Sequence, residues 1–256
     1  MHARKSHVVP IVICAAALTV GAAVYVADRK PPRTRPDPTA NHVWSAGEKI
    51  DLTSRGAELV RATIESAKIG NSAGVEFTYP GYREAQDGAD PKSDTGHRIG
   101  TDRDYDTWRE IGKATYYNYI ANISNSGRII EAKICEYSTV EPSRYSATAG
   151  FAIYVVRLEN TKEADQGQPG NYADADDLGR RTPDWNVFGS WRIAELYSAG
   201  ESEKEPECQN WFKSRVPELI VGEYLGSSGP LARMPDGVEI PREPVQPQYP
   251  KWLRPE

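Results

Sequence analysis

The longest run of apolar positions lies near the start of the chain. Residues 8–27 contain no charged side chain, and Thr19 and Tyr25 are their polar exceptions. Twenty residues of α-helix rise about 30 Å, the thickness of a bilayer's hydrocarbon core. A single transmembrane helix over 8–27 is therefore expected, after a short flank at 1–7. Pro10 falls in its first turn, where a missing N–H is tolerated. The pattern then breaks: Pro31, Pro32, Pro36 and Pro38 alternate with charges, which predicts an extended, solvated linker over 28–42.

A globular domain is expected over 43–228. Leu52, Leu59, Val60, Ile64 and Ala67 recur at three- and four-residue spacing, the signature of an amphipathic helix. Asp51 or Thr53 is placed to cap its start and Gly70 to end it. A short second helix begins at Pro80, with Tyr82 and Ala85 inward and Gly88 as its stop. Residues 87–106 are rich in Asp, Gly, Ser and Thr and read as an acidic loop.

Strand signals follow. Residues 114–124 are rich in Tyr, Thr and Ile, and Asn125-Ser126-Gly127 is hairpin chemistry. Over 128–137 Ile130, Ala132 and Ile134 share one face and Glu131 and Lys133 the other. Residues 151–159 are nearly all apolar, as a central strand is. A polar loop spans 160–184, and 186–197 supplies a fourth strand with Val187, Trp191, Ile193 and Leu196. The fold class is α+β: a transmembrane helix, then a helix packed on an antiparallel sheet of at least four strands. No internal repeat is evident.

The Pro-rich tail, 229–256, differs again. Pro241, Pro244, Pro247 and Pro250 fall every third residue, the period of a polyproline II helix, so they line one edge. Tyr249, Trp252 and Leu253 add apolar area. This predicts an extended tail lying against protein, either the chain's own sheet or a partner.

Charge narrows the partners. The chain carries 31 Lys+Arg and 36 Asp+Glu, a net −5. Six of the basic residues (Arg4, Lys5, Arg29, Lys30, Arg33, Arg35) and one acid (Asp28) lie before residue 36, which leaves 25 against 35, or −10, for the rest. Such a domain repels phosphate backbones, so nucleic acid is not an expected partner. The membrane is one, through residues 8–27, with the flanking cations at the headgroups. A cleaved signal peptide would have a shorter core and a small-residue site, for which Val20-Gly21-Ala22 is the best match. Lipid attachment at Cys14 lacks the small residue it wants before the cysteine. Orientation is read from two conflicting signals. The positive-inside count, two before the segment and four after, places the domain in the cytoplasm. Cys135 and Cys208, the two cysteines beyond the segment, fit one disulfide in an oxidising compartment, or else two separate buried thiols. The cysteine argument favours an extracytoplasmic domain at the cell membrane.

Catalytic chemistry finds little footing. S-x-x-K and H-E-x-x-H are absent, and the G-x-S-x-G match at residues 70–74 (GNSAG) closes a helical pattern instead of sitting at the strand-to-helix turn a nucleophile needs. Of the histidines, His2, His7 and His42 lie near the apolar segment, leaving His97 in a loop. Asp102, Asp104 and Asp106 begin like a calcium loop, but Thr107 stands where glycine is needed and Lys113 where a bidentate Glu is needed. No catalytic, cofactor-binding or metal-binding residue is assigned. One group is suggestive: Tyr105, Trp108, Tyr116, Tyr117, Tyr119, Tyr137, Tyr145 and Tyr154 gather on and around the strands. Tyrosines on a sheet beside a carboxylate can orient a ligand or serve acid–base chemistry.

The order of pieces, with residues 116–137 (YYNYIANISNSGRIIEAKICEY) and 186–193 (NVFGSWRI), resembles membrane-anchored actinobacterial proteins with a cone-shaped domain of the nuclear transport factor two-like superfamily. The chain is similar in this respect to the mammalian-cell-entry-associated membrane proteins. The resemblance implies a curved sheet with a pocket and an accessory role at the cell envelope. It carries over no catalytic pair. Two functions follow: a non-enzymatic accessory domain that binds an envelope protein, or a small-molecule-binding or lyase/isomerase-type cone using a carboxylate and tyrosines.

Overall fold

The computed structural model describes residues 40–86, 114–140, 150–162, 180–199, 205–221, 232–233, 235, 237–238 and 244–253. The expected transmembrane segment, the linker up to residue 39, the acidic loop from residue 87 and Pro241 lie outside the described residues. Among those described, no helix is long and apolar enough to cross a membrane.

Helix α1 spans Arg55–Ala73. Its N-cap is Ser54, whose hydroxyl accepts from the Ala57 N–H, not Asp51 or Thr53. Asp51 instead folds the turn before the helix, accepting from the Thr53 N–H and hydroxyl at 2.8 and 2.6 Å. Gly70 does not end the helix, because its carbonyl accepts from the Gly74 N–H; Gly74, at φ 105°, ends it. A 3-10 turn, Val75–Phe77, leads to α2, Tyr82–Gln86, with Tyr82 and Ala85 buried as their spacing predicts.

Five strands form one open sheet in the order β1 (Ala40–Ala46), β2 (Ala114–Asn125), β3 (Ile129–Val140), β4 (Gly150–Asn160) and β5 (Trp191–Ser198). Strands β2 to β5 pair antiparallel, and β4 sits between two neighbours. The β2–β3 hairpin turns at Gly127, whose φ of 84° needs glycine, with the Asn125 side chain accepting the Gly127 N–H at 2.9 Å. The sheet is mixed, not wholly antiparallel, because β1 runs parallel to β2. The intervening α1 supplies the long crossover that a parallel pair requires. Strand β1 also starts at Ala40, inside the stretch its prolines make look like linker. Strand β5 begins later than residue 186, since Asn186 Oδ1 accepts from the Phe188 and Gly189 N–H groups and holds a turn there.

Both faces of the sheet are covered. On one, Leu59, Val60 and Ile64 of α1 meet Ile120, Ile130, Ile134, Val156 and Leu158. On the other lies a helix the spacing argument does not find, α3 (Pro206–Arg215), which packs Phe212 with Tyr117, Tyr137 and Ile153. Cys135 of β3 and Cys208 of α3 are joined in a disulfide, Cα to Cα 5.3 Å. A small ladder, β6 (Ile220–Val221) with β7 (Ala232–Arg233), follows α3.

Candidate functional site

The polar centre of the molecule lies on α1. Every residue from 56 to 67 is buried, so the helix has no solvated face over three turns, and its polar side chains must find partners inside. Glu65 finds four. The Trp44 indole donates to Oε1 at 2.8 Å, and the Tyr79 hydroxyl and the Trp252 indole donate to Oε2 at 2.5 and 2.9 Å. The Gln248 amide reaches both oxygens at 3.3 Å. Burial pushes the Glu65 carboxyl up, against the pull of Arg61 and of these hydrogen bonds. Burial and the adjacent Glu65 charge also push the Tyr79 hydroxyl well above its usual range.

Two of those donors come from the tail. Tyr249 forms a parallel bridge to Val43 on the free edge of β1: the Tyr249 N–H donates to the His42 carbonyl and the Trp44 N–H to the Tyr249 carbonyl, each at 2.9 Å. Gln248 Oε1 accepts the His42 N–H at 2.7 Å. Arg61, one helical turn before Glu65, donates to the Pro250 carbonyl at 3.0 Å and lies 4.5 Å above the Trp252 ring. The Trp252 backbone exchanges two hydrogen bonds of 2.7 Å with Arg180. Residues 244–253 thus form a strap with two sides. Gln248, Pro250 and Trp252 point inward and are buried; Pro244, Val245, Pro247 and Tyr249 are exposed.

A second centre lies along the same helix. Lys68 Nζ is 2.6 Å from Glu136 Oε1 and 2.8 Å from the Tyr154 hydroxyl, with the Tyr116 ring 5.0 Å away. Burial works to lower the Lys68 ammonium, but Glu136, Tyr154 and Tyr116 together carry it above its usual value. Burial pushes Tyr154 up to about 12. His42 stacks on Tyr116 at 5.0 Å, and the Asn118 amide lies 3.2 Å from its Nδ1. Burial, then Lys68, Arg181 and Arg61, bring His42 down to about 3, so the ring is neutral. Glu136 Oε2 and Asn118 Oδ1, on paired positions of β3 and β2, are buried with no hydrogen-bond partner among the described residues. The neighbouring pocket, lined by His42, Lys68, Tyr79, Tyr116, Arg181 and Gln248, has about 20 Å³, room for one water.

The third feature is open. Residues 47–50, Tyr119 of β2 and Asn210 and Trp211 of α3 line a surface groove of about 680 Å³, with Tyr119 and Trp211 stacked at 5.6 Å. Among the described residues no three His, Cys, Asp or Glu gather as metal ligands.

The tyrosines of the sequence divide by strand alternation. Tyr116 and Tyr154 join Lys68 and Glu136, Tyr117 and Tyr137 stack at 5.9 Å under α3, and Tyr119 lines the groove. Tyr105, Trp108 and Tyr145 lie outside the described residues. The charged residues of both centres are not singled out by motif. Their signal is the spacing of Glu58, Arg61, Glu65 and Lys68, a polar stripe of helical period that reads as a solvated face. The chain matches no protein-family model, no curated protein and no solved structure.

Proposed function

We propose that this protein is a non-enzymatic accessory module of the cell envelope, held by residues 8–27 with its domain outside the membrane, and that it binds a protein partner. One observation carries the reading: the buried acid that faces a tyrosine hydroxyl, Glu65, is closed over by the chain's own Gln248 and Trp252. A catalytic carboxylate needs its substrate at hydrogen-bond distance, and here the strap takes those positions. The Cys135–Cys208 disulfide supports an oxidising compartment. The test is the size of the native assembly. Full-length protein taken from its own membranes in mild detergent should migrate as a complex larger than the 28.4 kDa chain and its micelle. It should also stay in the pellet on carbonate extraction. Migration as a lone chain, or release by carbonate, would sink the reading.

A second reading is a small-molecule-binding or lyase/isomerase-type domain. The unpartnered Glu136 Oε2 and Asn118 Oδ1 beside Lys68 and Tyr154 favour it, since buried acceptors left without a donor are what a ligand's polar group would satisfy. A ligand seated there should raise the melting midpoint of the wild type and leave that of Glu136→Gln unchanged. Equal shifts in both would remove this reading.

A further inference from the structure

Among the described residues three large apolar side chains are exposed: Val238 at 41%, Val245 at 39% and Tyr249 at 58%. All three fall within twelve residues of each other, on or just before the strap, while Trp252 is fully buried. Val245 and Tyr249 stand on the strap itself, and exposed apolar groups gathered on one segment mark an interaction surface more strongly than the same groups scattered.

The strap is held from below. The Gln246 N–H donates to Thr115 Oγ1 at 2.9 Å, and the Asn41 amide donates to the Gln246 carbonyl at 2.6 Å. Three residues on, Tyr249 is bonded to β1 on both its N–H and its carbonyl. Pro244, Val245, Pro247 and Tyr249 are therefore presented outward on a segment already ordered by the domain. A partner that docks there does not have to order it.

From this we infer that residues 244–249 are a pre-ordered, proline-bearing ridge whose partner is a protein with an aromatic-lined groove. That groove takes two prolines one polyproline turn apart. The inference rests on the partner-binding reading above and names the partner's chemistry. Three features select it. Pro244 and Pro247 are three positions apart and both exposed, the spacing at which proline-reading grooves take successive rings. Neither has an N–H, so the ridge cannot extend the sheet by a further strand. The sequence from Pro244 to Pro250, PVQPQYP, has no charge, so recognition by ion pairs or phosphate-binding clusters has nothing to hold. What remains is the contact of flat proline rings and a tyrosine with aromatic faces.

The experiment places a photo-crosslinking residue at Val245 in the full-length chain, in its native membranes. The expected result is a crosslink to one protein, with the linked partner peptide containing Trp or Tyr. Replacing both Pro244 and Pro247 by Ala should lower the yield about ten-fold, a loss of about 1.4 kcal/mol, while the far-ultraviolet spectrum stays that of wild type. Crosslinks that go to lipid, that map to a partner surface without aromatic residues, or that survive the proline substitutions overturn the inference. The same probe at Ser214, beside the Tyr119–Trp211 groove, separates the two levels. Capture from Ser214 with none from Val245 removes this inference and leaves a partner; capture from neither site removes the partner as well.

Discussion

The Trp252 indole donates to Glu65 Oε2 at 2.9 Å across 187 positions of sequence. The same ring lies under the Arg61 guanidinium and edge-on to Tyr79 at 5.4 Å. One side chain thus seals a buried acid, faces a buried cation and fills the core. Trp252→Ala should cost about 3–5 kcal/mol by cavity formation. Trp252→Phe keeps most of the area but removes the N–H, and should cost about 1–3 kcal/mol. Urea unfolding of the two variants measures both. A Phe variant as stable as wild type would show that the hydrogen bond contributes nothing.

Stability should depend on pH through His42. Its folded value is brought down to about 3 from 6.5, so between those limits the unfolded chain takes up a proton that the folded one refuses. Stability is complete above pH 6.5 and declines as pH falls towards 3, by up to about 1.4 kcal/mol per unit. Glu65 acts in the opposite sense. Its carboxyl is pushed up from 4.5, so its contribution is present below that value and is lost as pH rises through the raised one. Unfolding free energies of wild type and His42→Gln from pH 3.5 to 8 separate the two. The wild type should lose stability relative to the variant as pH falls below 6.5; a constant difference would show that His42 titrates normally.

Lys68 and Glu136 form a largely buried pair. Lys68→Met leaves the carboxylate without its cation and should cost about 3–5 kcal/mol, whereas Lys68→Met with Glu136→Leu should recover most of it. A double-mutant cycle reads the coupling directly. Additive losses would mean that the two charges are independently solvated.

The Cys135–Cys208 bond ties β3 to α3 across a separation of 73 residues and should stabilise by about 4 kcal/mol on the chain-entropy model. Both cysteines are fully buried. The native protein should therefore expose neither thiol to an alkylating reagent until reductant and denaturant are both present. Labelling of the two positions in non-reduced protein, counted by mass spectrometry, would contradict the bond.

What could be read from the sequence was local. The β2–β3 hairpin follows from Asn125 and Gly127, and the inward face of β3 from the alternation of Ile130, Ala132 and Ile134. Helix α1 declares itself by its apolar spacing, although Ser54 caps it instead of Asp51, which is engaged with Thr53. What was missed depends on distant partners. Strand β1 is seven residues whose ladder is supplied from residue 114 onward. Helix α3 shows Cys208, Trp211 and Phe212 at helical spacing, but over only ten residues and among polar neighbours. The polar stripe of α1 looks solvated because no local signal says that residues 248–252 will cover it. Pairing of the cysteines was one of two open readings, and the tail's two-sided character could not be read from a three-residue proline period.

The strap also sets an order in time. Trp44, Glu65 and Tyr79 leave the ribosome long before Gln248 and Trp252 exist, whereas the β2–β3 hairpin has all its partners within a short stretch. Contacts of such long sequence separation form late and slowly. During synthesis, then, the nascent domain holds an acid in an apolar surround with half of its donors missing. A message truncated anywhere before codon 248 yields a chain that never acquires them. Such a product would keep its indole-lined cleft open, the kind of surface that chaperones hold and proteases find.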